Sequence, residues 1–238
     1  MNTTPRVHAL IPAAGRGTRY GGDVLKQYLP IRGKAVLAHA ISAFQFHPLI
    51  SRTTVVLAED DKLFESAVGK LAAVVDTVTG GDTRACSVRY GLQSILDNHP
   101  EDDWVLVHVG ARPCLSAKCL DRLLDQGLAS PDGAILALPV VDTLKCSGES
   151  QEIICTQDRK GLWAAQTPQL FKVEALAAAI DAAEREGRAL TDEASAMEFI
   201  GAKPKLVMGS TANIKITHSS DLPIAEALLA RKEVKSSE

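Results

Sequence analysis

Residues 10–30, LIPAAGRGTRYGGDVLKQYLP, open on an apolar run and change within a few positions into glycines, small residues and cations. Four glycines (Gly15, Gly17, Gly21 and Gly22) precede Lys26, with Arg16 and Arg19 among them. The apolar run VHALIPA has the look of a buried strand. Glycines directly after such a strand let the backbone approach an anion closely and take positive φ, so that N–H groups can converge on phosphate oxygens. Arginine and lysine would add charge-assisted contacts. Two familiar phosphate motifs are absent. No Gly-Lys-Ser/Thr follows, as a P-loop requires, and the third glycine of G-x-G-x-x-G would have to stand at Tyr20. The segment alone leaves two readings open, a different phosphate loop or a solvent loop with incidental charges.

Outward from this stretch, short β-branched runs alternate with segments of helical period. KAVLAHAISAFQF sets Val36, Leu37, Ala40, Ile41 and Phe44 on one helical face. TTVVLA predicts a strand and DKLFESAVGKLA a helix. VVDTVTGG predicts a strand ending in Gly80-Gly81, and TRACSVRYGLQSIL the helix after it. WVLVHVGA and GAILALPVV read as strands buried on both faces, separated by the helix AKCLDRLLDQGLA. This alternation predicts an α/β fold with a mostly parallel twisted sheet flanked by helices. Its strand-to-helix loops should gather along one edge, where such folds bind ligands.

The period fails between Asp142 and Gln169, a polar stretch with a Ser-Gly-Glu-Ser turn. A structureless loop of that length is unusual in a compact domain, so paired extended segments in a protruding arm at about 142–169 are expected, placed to pack on a partner subunit. Beyond it, VEALAAAIDAAEREG and TDEASAMEFIG predict helices, and KLVMG and NIKI short strands. SSDLPIAEALLARK closes the chain as a helix with Leu222, Ile224, Leu228 and Leu229 inward. The expectation is a single domain over residues 1–238.

With 238 residues, 46% of them hydrophobic, and a net charge of −3, the composition suits a globular protein with a sizeable core. It argues against a general affinity for nucleic acid or membrane. Five cysteines without a C-x-x-C pair favour reduced thiols over a disulfide framework or zinc site. No signal segment or membrane-length apolar run is evident, so a cytoplasmic location is expected.

Other candidate sites lie at element ends. In TGGDTRACSV, Gly81, Asp82 and Ser87 could read a nucleobase edge or simply cap a helix. LVHVGARPC brings Arg112 to the binding edge, while His108, inside an apolar run, reads as a core histidine. DTLK, DRKGLWAAQTPQ, TDEASA and NIKIT are polar stretches that each have an innocent reading as turn, cap or ion pair.

Taken in order, PAAGRGTR, KQYLPI, GGDTRACSV, HVGARPC, PVVDTLK, GLWAAQTPQ, TDEASA and NIKIT resemble the cytidylyltransferases of the non-mevalonate isoprenoid pathway, over residues 12–217. The ribitol-phosphate cytidylyltransferases are closely similar. The resemblance implies a Rossmann-like nucleotidyltransferase fold and transfer of CMP from CTP to 2-C-methyl-D-erythritol 4-phosphate, or alternatively to ribitol 5-phosphate. It implies that Pro12, Ala13, Ala14, Gly15 and Gly17 wrap CTP, that Gly81, Asp82 and Ser87 hold its nucleoside, and that Arg19, Lys26 and Lys215 act on its phosphates. Arg112, Thr143, Arg159 and Thr167 would bind the polyol phosphate, with the arm crossing to the neighbouring subunit of a homodimer. Mg2+ would be held mainly by the CTP phosphates. The sequence departs from the family where Asp is usual, at Val109 (His-Val-Gly-Ala-Arg-Pro for His-Asp-Ala-Ala-Arg-Pro), and valine neither ligates a hard cation nor accepts a hydroxyl proton. A catalytically impaired nucleotide-binding variant is the reading this departure raises. Leu25 also stands where proline is usual.

Overall fold

The computed structural model describes residues 5–15, 25–100 and 103–236, with side chains to Arg231. Its centre is one seven-stranded sheet. Strands β1 (Val7–Pro12), β4 (Ile50–Leu57), β5 (Asp76–Thr79) and β6 (Trp104–Val107) lie parallel, as do β7 (Ala134–Pro139) and β11 (Lys205–Met208). Strand β10 (Trp163–Lys172) runs antiparallel between β6 and β7. The spatial order is β11-β7-β10-β6-β1-β4-β5.

Both faces of the sheet are covered, and the side chains of β1 divide between them. Val7, Ala9 and Ile11 enter one core with α1 (Val36–Ser42) and α4 (Ala117–Gly127), whereas Leu10 enters the other with α3 (Arg84–Asn98), α5 (Val173–Arg185) and α6 (Glu193–Phe199). A strand with two apolar faces reads as a continuous hydrophobic run, which is why VHALIP and WVLV lack alternation. Leu37, Ile41 and Phe44 are wholly buried, as the α1 pattern predicts. A third, smaller core joins Ile31 of β2 (Pro30–Ile31) to Val36, Cys114, Ile216 and α7 (Asp221–Ser236); β2 forms a short hairpin with β3 (Lys34–Ala35).

The structure differs from the sequence reading in several places. The helix expected over DKLFESAVGKLA is only α2 (Phe64–Val68), followed by a 3-10 turn at Gly69–Val74. Gly69, at φ 59°, breaks the α geometry between them. NIKI is not a strand; it is irregular chain tied by Ile216 N–H to the Ala111 carbonyl at 2.8 Å. On α7, Ile224 is 53% exposed, and Ala225 and Leu229 take the buried positions.

The arm contains a hairpin of β8 (Leu144–Ser147) and β9 (Ile153–Gln157). Its expected last segment, 163–169, is instead the beginning of β10 and belongs to the central sheet. No helix among the described residues is long and apolar enough to cross a membrane.

Candidate active site

Four parallel strands end at one edge of the sheet, and their following loops enclose an open cleft of about 840 Å3. Because β1 has β4 on one side and β6 on the other, the chain leaves it in opposite directions, the topological switch where open α/β sheets bind ligands. The cleft is lined by Pro12–Gly15 after β1, Ala58–Asp60 after β4, Gly80–Arg84 after β5 and Val109–Ala111 after β6, together with Lys26, Ser87, Lys215 and Thr217. Of the residues singled out from the sequence, Pro12, Ala13, Ala14, Gly15, Lys26, Gly81, Asp82, Ser87 and Lys215 are thus brought together. Gly17 and Arg19 lie outside the described residues.

Each wall is held by specific contacts. Ala13 N–H donates to Val56 O at 2.8 Å, which continues the β1–β4 ladder into the loop. Buried Gln27 donates through Nε2 to Ala13 O at 2.9 Å and to Gly15 O at 3.3 Å, clamping the loop from beneath. The 3-10 turn that carries Lys26 is anchored by Tyr28, whose hydroxyl donates to Asp61 Oδ2 at 2.6 Å. Burial, then that hydrogen bond, pushes the Tyr28 phenol well above its usual range, so it remains a donor.

The loop after β5 meets the first loop directly. A Cβ on Gly80 would lie 2.7 Å from Ala14 Cβ and 2.7 Å from Ser87 Oγ, so only glycine fits there. Ser87 Oγ donates to Thr83 O at 3.0 Å and accepts from Gly81 N–H at 3.2 Å. Thr83 caps α3 by accepting from Cys86 N–H. The N-terminus of this helix therefore opens toward the cleft, with the partial positive charge of its unpaired amides.

The floor beside β6 is a network of buried polar groups. His108 is fully buried with both ring nitrogens engaged. The Arg112 carbonyl can only accept, so Nε2–H donates to it, at 3.1 Å. Nδ1 is then the acceptor, and the Thr167 hydroxyl donates to it at 3.0 Å while accepting from Val109 N–H at 3.1 Å. Burial lowers the His108 pKa to about 3, which makes this a neutral positioning histidine. It also sets an acid limb. Below the unfolded value near 6.5 the unfolded chain takes up a proton that the native His108 refuses. Stability is therefore complete above that pH and is expected to fall by about 1.4 kcal/mol per pH unit from roughly 6.5 toward 3. Urea unfolding across that range checks the slope, and His108→Gln should flatten it.

The polyol-phosphate candidates are not gathered in this cleft. Thr167 is buried in the network just described, and Thr143 and Arg159 are exposed on the arm segment. Arg112, expected at the binding edge, is turned aside instead. Its guanidinium donates through Nη1 to the Asn213 carbonyl, and Nε is buried with no hydrogen-bond partner. Burial lowers its pKa to about 10, so it stays charged at neutral pH.

Three features escaped the sequence reading. Gln27 was one, since an isolated glutamine beside a lysine carries no periodic signal. The carboxylates Glu59 and Asp60, beyond β4, also line the cleft. The third is a bidentate ion pair from Arg84, on the cleft wall, to Glu193 of α6, which is 2% exposed. Burial lowers the Arg84 pKa, but the carboxylates of Glu193 and Asp192 more than offset this, and the net direction is up. Asp192 and Ser195 form a capping box, and Gln169 bridges Asp192 Oδ2 and Ala194 N–H at 2.8 Å each. TDEASA is therefore a clip between α3 and β10 and does not line the cleft.

A glycine-bearing loop, a helix N-terminus and two lysines around one sheet-edge cleft make an anion-binding site in an α/β fold, and comparison with known proteins places that fold among the nucleotidyltransferases. The IspD family profile, 2-C-methyl-D-erythritol 4-phosphate cytidylyltransferase, matches residues 7–231. The chain belongs to this family, whose members are cytidylyltransferases. It is 45% identical over 231 residues to the 2-C-methyl-D-erythritol 4-phosphate cytidylyltransferase of Dechloromonas aromatica (strain RCB), covering 96% of this chain and 100% of that one. With the Alteromonas mediterranea protein of the same name it shares 46% over 232 residues, 97% and 95% of the two chains. Among solved structures, a 4-diphosphocytidyl-2C-methyl-D-erythritol synthase superposes with TM-score 0.83 at 40% identity, covering 95% of this chain and 100% of that one. The Thermus thermophilus 2-C-methyl-D-erythritol 4-phosphate cytidylyltransferase superposes with TM-score 0.77 at 30% identity, covering 94% and 98%. These likenesses do not favour the ribitol-phosphate alternative.

Proposed function

We propose that this cleft binds CTP and transfers CMP to 2-C-methyl-D-erythritol 4-phosphate, releasing pyrophosphate, in isoprenoid precursor synthesis. The observation that carries the reading is the convergence of Pro12–Gly15, Lys26, Gly81–Arg84, Ser87 and Lys215 on one cleft of nucleotide size. In this reading the backbone of residues 12–15 follows the triphosphate, and Gly81, Asp82 and Ser87 hold the nucleoside. Lys26 and Lys215 act on the reacting phosphates, a role the family resemblance also assigns to Arg19, which lies outside the described residues. The attacking group is a phosphate oxygen that is already anionic, so no strong base is needed. Catalysis consists of alignment and of neutralising charge on the five-coordinate phosphorus and the leaving group.

Among the described residues no group of three or more His, Cys, Asp or Glu could cage a metal, and apolar Val109 faces the cleft. A cleft with dispersed carboxylates (Glu59, Asp60 and Asp82) still fits a magnesium ion carried in on the nucleotide, which keeps most of its ligands as phosphate and water. Such an ion supplies further neutralisation of the triphosphate.

The chain acts as one domain over 1–238, in the cytoplasm, as a homodimer. Val141, Ile153 and Ile154 on the arm segment, 74%, 66% and 68% exposed, support a partner surface there. Thr143 and Arg159, exposed on the same segment, serve the polyol phosphate, while Arg112 and Thr167, engaged with Asn213 and His108, act through the walls they hold.

Pyrophosphate release from CTP with methylerythritol phosphate tests the reading. Measurable CTP binding without release would overturn it. Val109→Asp should lower the magnesium concentration for half-maximal rate by about tenfold or more, the size of effect seen when groups around a metal are altered. An unchanged magnesium titration would mean that residue 109 does not act through the metal.

A further inference from the structure

The β8–β9 hairpin sets Cys146 and Cys155 directly opposite each other in antiparallel register. Residues so paired have Cα atoms about 4.5 or 5.5 Å apart, depending on their place in the ladder. Both separations fall inside the roughly 4.4–6.8 Å that a disulfide spans. The register is fixed on both sides of the pair. On the neighbouring rung, Lys145 Nζ donates to Thr156 Oγ1 at 2.7 Å. Toward the turn, Gly148 N–H donates to Glu152 O at 3.0 Å, and Gln151 N–H to Gly148 O at 3.2 Å. A register shift follows Cys146, and such a bulge adds twist beside the pair.

Both thiols are free, Cys155 is exposed and Cys146 is half-buried. The two are in side-chain contact, and the hydrogen bond with Cys155 is the main cause that pushes the Cys146 thiol up. Cys114 and Cys119, by contrast, are buried in the cores. Neither arm cysteine lines the cleft.

We infer that Cys146 and Cys155 are a dithiol that small-molecule disulfides convert reversibly to a cross-strand disulfide within the arm. Cys155, the more accessible, loses its proton to solvent, and its thiolate attacks one sulfur of the small disulfide. That bond breaks, one small thiolate leaves, and a mixed disulfide remains on Cys155. Cys146 then gives up its proton and attacks Cys155 Sγ, forming the internal bond and expelling the second small thiolate. Two protein thiols are oxidised and one small disulfide is reduced to two thiols, which take up the two protons. The ring so closed spans a two-stranded ribbon that has marginal stability by itself. The bond removes freedom from the opened hairpin and so holds the arm in its paired form. The inference rests on hairpin geometry and does not depend on the assigned reaction.

The full chain, incubated with glutathione disulfide under native conditions and then alkylated, tests it by thiol counting and peptide mapping. The expected result is loss of two thiols, a peptide linking residues 146 and 155, and full return on adding reductant. Cys146→Ser should stop at a stable mixed disulfide on Cys155, because no resolving thiol remains. The oxidised arm should also resist cleavage at Lys145 by trypsin more than the reduced arm. Retention of all thiols would overturn the inference. So would separate mixed disulfides persisting on Cys146 and Cys155, or a bond between two chains in place of the internal one.

Discussion

Lys26→Ala is expected to lower kcat by about 10²–10³, the loss seen when one preorganised charge-stabilising donor is removed from a reacting centre. The thermal midpoint should be unchanged, and the effect on CTP binding smaller than that on kcat. Lys26 begins the 3-10 turn at the end of the loop and lines the cleft, while the anchors of that turn are Gln27 and Tyr28, which the substitution leaves intact. Steady-state pyrophosphate release with parallel calorimetry checks both halves. Wild-type turnover in the variant would remove Lys26 from the reaction.

Arg84→Ala tests the architecture behind the cleft. Glu193 is 2% exposed and its carboxylate is bound by the Arg84 guanidinium. Removing the arginine strands a buried charge, an arrangement that typically costs about 3–5 kcal/mol. Because the Arg84 side chain is itself 37% exposed, a loss near 3 kcal/mol is expected. The double variant Arg84→Met/Glu193→Leu should recover most of that loss, since matched apolar groups leave nothing unpaired. Urea midpoints that match wild type in Arg84→Ala would show that the pair carries no stability.

The parallel sheet and its ligand edge were legible because strands buried on both faces and helices of period 3.6 differ strongly in pattern. The Pro12–Gly15 and Gly80–Ser87 segments were legible for a related reason, as glycine just past a strand is a local signal. Other features depend on contacts between distant segments. Residues 163–169 read as part of the arm and not as a core strand, because the polar Gln166, Thr167 and Gln169 hide a strand whose buried groups are satisfied against His108, Asp192, Ser210 and Asn213. NIKIT reads as a strand by β-propensity, but Asn213 and Ile216 are held by tertiary bonds and not by a ladder. The Cys146–Cys155 pairing needs a strand register, and cysteine spacing does not encode one.

Strand β10 bears on how the family can vary. It leaves the arm at Trp163 and reaches the cleft floor at Thr167 within one strand, whose pairing with β7 shifts register between Ala165 and Gln169. In an antiparallel strand a single inserted residue turns every later side chain to the opposite face. An insertion between these positions would carry Thr167 away from His108 and Val109. The hairpin tip at Gly148–Gln151 has no such constraint. Length changes in the arm should therefore be tolerated at its tip and selected against at its root, leaving the distance from root to floor as a fixed ruler while the outer arm drifts.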